Sequence, residues 1–192
     1  MEKITFEQLP EWFEGVAAIF TEKKDELCDM DAKMGDGDLG LTMHKGYAAL
    51  PDLIRENSET GDVGKTLMKS GMKMASVVPS TMGTLMSSGV MEGGMALKGK
   101  SELGPAELAT YLTAFAAGVQ KRGKCALGDR TILDAVDRGV MGATNGLMDG
   151  KMLAGTALSV LAIREWRLAG LAVPGAMTLL WWAARLFGGD RL

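Results

Sequence analysis

Helical spacing of the apolar residues is the feature that most limits how this chain can fold. In residues 10–28, apolar side chains follow one another mostly in steps of three or four, as at Trp12, Val16, Ile19 and Phe20. A helix places such positions on one face, whereas a half-buried strand requires alternation. Strand-like runs of Val, Ile and Thr are nearly absent, and the 15 methionines favour helix. The sequence therefore predicts a mainly helical protein.

Proline and glycine divide the helical pattern into segments. Pro51 interrupts one segment, and the stretch "VVPSTMGT" interrupts another, because proline and glycine are poor residues for a helix interior. The predicted helices span residues 10–28, 41–50, 62–77, 84–98, 105–121 and 130–148. We expect six to eight helices in an all-α bundle that forms one domain over residues 1–192.

Charge and cysteine content exclude several classes of protein. The net charge of −3 and pI near 5.3 give no general electrostatic reason to bind nucleic acid or anionic lipid. With two cysteines, a disulfide scaffold is not expected, and a reducing cytosol fits. The start, "MEKITFEQLP", lacks the apolar stretch of a signal peptide. We therefore expect a cytoplasmic protein.

The stretch "DMDAKMGDGDLGLTMHKG", residues 29–46, crowds acidic residues among glycines. Asp36 and Asp38 are two residues apart in a flexible loop, so their side chains can converge, and Asp31 supplies a third direction. Clustered carboxylates repel unless a cation lies among them, and Mg²⁺ prefers such oxygen ligands. An EF-hand calcium loop starting at Asp36 fails, because Gly40 and Tyr47 occupy its positions 5 and 12. A solvated turn stays open as the alternative.

Two segments resemble one known family. The segment "DAKMGDGDLGLTM" resembles the D-x-x-x-G-D-x-D-x-G signature of the nucleotide-binding L subunit of dihydroxyacetone kinases. The segment "VQKRGKCALGDRTILDA" resembles that family's R-G-K-A-x-x-G-[DE]-[KR]-T-x-x-D pattern, and it follows in the right order about 90 residues later. The resemblance covers roughly residues 5–150. It implies an up-and-down eight-helix barrel that holds ADP or ATP with two Mg²⁺ ions at one end.

The resemblance also implies which residues form the site. It assigns the two metal ions to Asp31, Asp36 and Asp38. The residues that it places near the nucleotide are Thr42, Ser80, Thr81, Gly83, Gly128, Arg130, Thr131 and Asp134. Two alternatives stay open: the "VPSTMGT" hydroxyls can simply complete a helix–helix turn, and Asp134 can be an exposed helical charge. Leu39 departs from the family, which commonly has histidine there, and the "VPSTMGT" turn also differs from the common sequence.

In the family that the chain resembles, this subunit presents a phosphoryl group to a ketose held by a separate K subunit. The phosphoryl donor is either exchangeable ATP or a phosphotransferase-system protein that rephosphorylates bound ADP, and the sequence chooses neither the donor nor the ketose. A homodimer is compatible with the sequence. The alternative from another class is a non-catalytic regulatory or interaction protein that uses the same helical barrel.

The family pattern fades after about residue 155, and residues 151–192 form a divergent tail. Leu168 to Ala184 is a run of 17 uncharged residues, at the lower limit for a membrane span, but Pro174 and two glycines weaken that interpretation. We expect an atypical packed C-terminal helix instead. A third hypothesis is a change of reading frame near Arg164, which would replace the segment that closes over the nucleotide by residues 164–192.

Overall fold

The computed structural model of the chain describes residues 3–33, 35–129, 131–134, 136–137 and 140–141. Within these ranges the chain is almost entirely helical, and this confirms the predicted all-α class. The helices are α1 (Leu9–Glu22), α2 (Lys24–Asp31), α3 (Leu39–Glu56), α4 (Val63–Val77), α5 (Thr81–Ala96) and α6 (Pro105–Gly123), with a 3-10 helix at Ser58–Thr60. The described residues between 132 and 141 are also helical.

Several helix boundaries differ from the predicted ones. Helix α3 begins at Leu39 rather than at residue 41, and α5 begins at Thr81 rather than at residue 84, so Gly83 lies inside α5. The first predicted helix is divided at Lys23, where ψ of 3° separates α1 from α2. The predicted end of a helix at Leu50 is wrong, because α3 continues through Pro51 to Glu56. Proline removes one backbone hydrogen bond, but Leu50, Pro51 and Ile54 are all buried, and their packing offsets that loss.

A small antiparallel pairing joins the segment before α1 to the connection between α5 and α6. Strand β1 (Ile4–Thr5) pairs with β2 (Glu102–Leu103), with Ile4 opposite Leu103. Each strand has two residues, which is too short for the alternation that marks a strand in a sequence. The pairing anchors the chain before α1 to the chain before α6.

The helices run up and down, so successive connections alternate between the two ends of the bundle. Packed neighbours follow chain order from α3 to α6, and α1 packs against α3. Three connections therefore lie at one end, which we call the acidic end. Their described residues are 32–33 with 35–38, 78–80, and 124–129 with Thr131. Contacts across the bundle agree, since a Cβ on Gly46 of α3 would lie 3.2 Å from a Val78 methyl group, and one on Gly123 would lie 3.3 Å from Leu85.

The core combines aromatic stacking with close helix contacts. Phe20 of α1 and Tyr47 of α3 stack with ring centroids 4.4 Å apart, and both side chains are buried. Helices α4 and α5 approach closely at Gly94, where a Cβ would lie 2.4 Å from the backbone nitrogen of Met68. The bundle is thus held by side-chain packing on one side and by backbone contact on another.

Several predictions fall on residues that the structure does not describe. The C-terminal tail, with its apolar run and the proposed frame change, lies outside the described residues, as does Arg130. Among the helices that are described, none combines the length and apolar character needed to cross a membrane. The full count of eight helices and the one-domain organisation stay predictions.

Candidate metal and nucleotide site

Three carboxylates converge at the acidic end. Asp31 is the last residue of α2, Asp38 precedes the first turn of α3, and Asp36 lies in the loop between them. One carboxylate oxygen from each lies within 4.8 Å of the others. Asp31 is half-buried, whereas Asp36 and Asp38 are exposed. The structure therefore brings together the three side chains that the sequence singled out.

The glycines of this loop let the Asp31 carboxylate fold back over the backbone. Its Oδ2 accepts a hydrogen bond from the Gly37 N–H at 2.9 Å, and Gly37 has a φ of +77°, which disfavours other residues. A Cβ on Gly35 would lie 2.5 Å from Asp31 Oδ1 and would push the carboxylate away. Glycines and carboxylates occur together in this loop because the glycines leave the space into which the Asp31 carboxylate folds.

The electrostatics of the cluster favour a cation. Desolvation, followed by the negative charges of Asp36 and Asp31, raises the pKa of the Asp38 carboxyl, and a hydrogen bond with Asp36 contributes in the same direction. Within the described ranges, no lysine or arginine forms an ion pair with these three residues. Hard oxygen ligands with unrelieved negative charge fit Mg²⁺, whose remaining positions are taken by water or phosphate oxygens.

The start of α5 forms a second part of the acidic end. Ser80 is the N-cap residue, and its Oγ accepts a hydrogen bond from the Gly83 N–H at 3.0 Å. The alternative left open for this turn, a hydroxyl that satisfies the local backbone, therefore describes the structure. Gly83 is also required sterically, because a Cβ there would lie 2.2 Å from the Val78 carbonyl oxygen. Thr81 is exposed in the first turn, where N–H groups are available to an anion.

The loop after α6 is held by a buried carboxylate. Asp134 is 9% exposed, so its interpretation as an exposed helical charge is wrong. Its Oδ1 accepts from the Gly128 N–H at 2.6 Å, and its Oδ2 accepts from the Thr131 N–H at 2.8 Å. Gly128 has a φ of +95°, a conformation that suits glycine. Asp134 thus shapes the backbone of this loop.

Thr42 completes the set of predicted site residues that the structure describes. It is buried one turn into α3, and its N–H donates to the Asp38 carbonyl oxygen at 3.0 Å. The predicted residues thus divide into three groups at one end of the bundle. Sequence reasoning did not include Gly35 and Gly37 among the site residues, although their positions between the aspartates were the available signal.

Comparison with known proteins identifies similar sequences. A protein-family model described as the DAK2 domain matches residues 33–164. The ADP-binding subunit DhaL of PEP-dependent dihydroxyacetone kinase 2 from Listeria innocua is 34% identical over 126 residues, which are 65% of this chain and 58% of the relative. The corresponding subunit from Escherichia coli is 28% identical over 127 residues, or 66% of this chain and 60% of the relative. The chain thus spans about three fifths of the length of these curated relatives.

A solved structure has the same fold. The dihydroxyacetone kinase from C. freundii in complex with AMP-PNP and Mg²⁺ superimposes with a TM-score of 0.68 at 23% identity. The superposition covers 91% of this chain and 33% of that chain. This likeness supports the all-α architecture independently of the helix pattern.

Proposed function

This chain belongs to the DAK2 domain family, and we propose that it is the ADP- or ATP- and Mg²⁺-binding subunit of a dihydroxyacetone-type ketose kinase. In this role it delivers a phosphoryl group to a ketose held by a separate K subunit. The observation that carries the proposal is the convergence of Asp31, Asp36 and Asp38 within 4.8 Å, without a cationic side chain among the described residues to neutralise them.

The proposed work of the three aspartates is to hold two Mg²⁺ ions. Bound Mg²⁺ neutralises charge on phosphate oxygens and orients them for transfer. The Gly37 N–H fixes one oxygen of Asp31, so that carboxylate is already oriented before a ligand arrives. Preorganised ligands lose less entropy on binding than flexible ones, which favours a site whose side chains are already placed.

The other two groups at the acidic end are proposed to hold the nucleotide. The first-turn N–H groups of α5, beginning at Thr81, suit phosphate oxygens, because a helix N-terminus carries partial positive charge. The loop 126–131 is shaped by Asp134 and approaches the same end. Thr42 lies one turn from Asp38, and its side chain is buried. Arg130, which lies outside the described residues, stays a sequence-based prediction.

The proposed partners follow from the relatives. The bacterial relatives are named ADP-binding subunits of PEP-dependent kinases, and a Lactococcus lactis relative, 27% identical, is named PTS-dependent. These names favour the variant in which ADP stays bound and a phosphotransferase-system protein rephosphorylates it. This chain covers 33% of the C. freundii chain, so the remainder of that chain is long enough to contain a substrate-binding unit. We propose that a cytoplasmic K subunit supplies that unit here.

Calorimetric titration with ADP, with and without Mg²⁺, tests the proposal. We expect Mg²⁺-dependent binding that Asp36→Ala abolishes, while the helical circular dichroism stays unchanged, because Asp36 is an exposed loop residue. Asp25→Ala is the matched control: Asp25 is an exposed acid in the first turn of α2, and its removal leaves binding intact. Absence of binding to the unmodified protein favours the regulatory alternative, and unchanged affinity in Asp36→Ala refutes the metal assignment.

A kinase assay tests the reaction itself. The chain is combined with candidate K subunits and a panel of ketoses, with ATP and then a phosphotransferase-system donor as the phosphoryl source. We expect phosphorylation only when all components are present, because this chain supplies the nucleotide and metal while the partner holds the sugar. Turnover by this chain without a K subunit contradicts the proposed division of labour.

A further inference from the structure

We propose that Gly40 is a positioning residue for the metal site, because its missing side chain sets the spacing between α2 and α3. The proposal rests on the proposed function in one respect, namely that Asp31, Asp36 and Asp38 bind Mg²⁺. It adds a residue that touches neither metal nor nucleotide, and it explains how two separate helices hold their carboxylates in register.

The backbone of α2 lies directly against Gly40. A Cβ at this position would lie 1.8 Å from the Lys24 carbonyl oxygen and 2.8 Å from Cys28 Sγ. Real Cβ atoms essentially never come within 3.0 Å of another such heavy atom. The closer of the two atoms belongs to the helix backbone, so a change of side-chain rotamer cannot relieve the contact.

Helix α2 has few other anchors. It has eight residues, and Leu27 is the one residue of this helix that is buried in the core. It packs mainly against α3 and only slightly against α1. The contact at Gly40 is therefore a main determinant of where α2 lies relative to α3.

Each of these two helices places a carboxylate of the cluster. Asp31 ends α2, whereas Asp38 immediately precedes α3 and lies two residues before Gly40. Any movement of α2 away from α3 consequently changes the separation of Asp31 from Asp38. One carboxylate oxygen from each residue of the cluster lies within 4.8 Å of the others, and this convergence depends on the spacing of the two helices.

Alanine at position 40 demands a displacement larger than a Mg²⁺ site tolerates. The Lys24 oxygen must retreat by roughly 1.5 Å to reach ordinary van der Waals contact with the new methyl group. Metal–ligand distances tolerate only about 0.2 Å, and Mg²⁺ demands nearly ideal octahedral geometry. We expect Gly40→Ala to weaken metal binding by at least about tenfold, which is a loss of about 1.4 kcal/mol in binding free energy.

Titration with Mn²⁺, followed by electron paramagnetic resonance, measures the metal site without requiring turnover. The matched control is Gly94→Ala, which forces a Cβ to 2.4 Å from the Met68 backbone nitrogen between α4 and α5. Both substitutions drive a methyl group into a neighbouring helix backbone, so both are expected to lower the melting temperature. Only Gly40→Ala is expected to weaken Mn²⁺ binding.

A milder variant keeps the proposal testable where Gly40→Ala fails to fold. Cys28→Leu enlarges the α2 side chain that faces Gly40 but puts no methyl group against the Lys24 backbone, so a smaller displacement of α2 and a smaller loss of Mn²⁺ affinity are expected. Affinity equal to that of the unmodified protein in a folded Gly40→Ala, or in Cys28→Leu when alanine does not fold, overturns the positioning role. Absence of Mn²⁺ binding to the unmodified protein refutes instead the metal site itself, and with it the proposed function.

Discussion

Asp38→Asn distinguishes two effects of the acidic cluster: charge repulsion in the metal-free protein and stabilisation by bound metal. Asp38 precedes α3 but makes no side-chain capping hydrogen bond, and asparagine is an equally good residue at that position. The substitution therefore removes a charge without removing a cap. We expect the metal-free protein to become more stable and the metal-loaded protein to lose its stabilisation.

The size of the effect follows from the separation of the charges. The three carboxylates have oxygens within 4.8 Å of one another, and two unit charges at that limit repel by about 0.9 kcal/mol in bulk water. Asp38 takes part in two such pairs, with Asp31 and Asp36, and screening at physiological salt roughly halves the sum. The expected gain for the metal-free protein is thus about 1 kcal/mol, or an increase of about 2–4 °C in the melting temperature of a chain of this size.

The dependence on pH has a defined sign. Desolvation and the charges of Asp36 and Asp31 raise the pKa of the Asp38 carboxyl in the folded protein. The folded state therefore binds the Asp38 proton more tightly than the unfolded state, and ionisation of Asp38 destabilises the fold. The advantage of Asp38→Asn is expected to be full at pH 7 and to disappear as the pH falls below the ordinary value of 3.8.

Thermal unfolding at pH 7, with and without Mg²⁺ and ADP, measures both effects. Ligand at about 100 times its dissociation constant stabilises the unmodified protein by about 2.7 kcal/mol. We expect Asp38→Asn to lose that shift and Asp25→Asn, with its 92% exposed side chain, to keep it. A lower melting temperature for metal-free Asp38→Asn, together with an unchanged ligand shift, refutes the reasoning.

Two further predictions concern buried carboxylates. Asp134→Asn places an amide N–H against a backbone N–H of the loop after α6. The affinity for ADP is therefore expected to fall about tenfold, while Mn²⁺ binding persists. An equal loss of ADP and Mn²⁺ binding contradicts a role confined to the loop. Burial would raise the pKa of the Asp62 carboxyl, but N–H donors from Lys65 and Gly99 and the Lys65 charge together lower it. Asp62→Asn is therefore expected to destabilise the fold by about 1–3 kcal/mol at pH 7. In denaturation experiments, the stability difference between this variant and the unmodified protein is expected to disappear as the pH falls through the lowered pKa. A stability difference that persists in acid contradicts the charge argument.

Local signals predicted the features that depend on residues close in sequence. Three-and-four spacing identified the helices, and "VVPSTMGT" marked the break between α4 and α5, where Ser80 serves as the cap. The spacing of Asp31, Asp36 and Asp38 also predicted their convergence, because all three lie within eight residues joined by glycine. The fold class and the candidate metal ligands were therefore accessible from the sequence.

Contacts between distant segments decided the remaining features. The helix through Pro51 persists because its neighbours are buried against other helices, and β1 exists only because Ile4 meets Leu103. The sequence left open whether Asp134 is an exposed helical charge, and its burial with hydrogen bonds from the Gly128 and Thr131 N–H groups decided against that alternative.

The sequence by itself determined which stretches become helices and which three acids converge, because both depend on local periodicity and spacing. Only the tertiary structure decided that the acidic loop, the start of α5 and the loop after α6 share one end, since that requires the alternating direction of packed helices. It also decided how closely α2 approaches α3 at Gly40, because a glycine permits backbone contact but does not specify the partner.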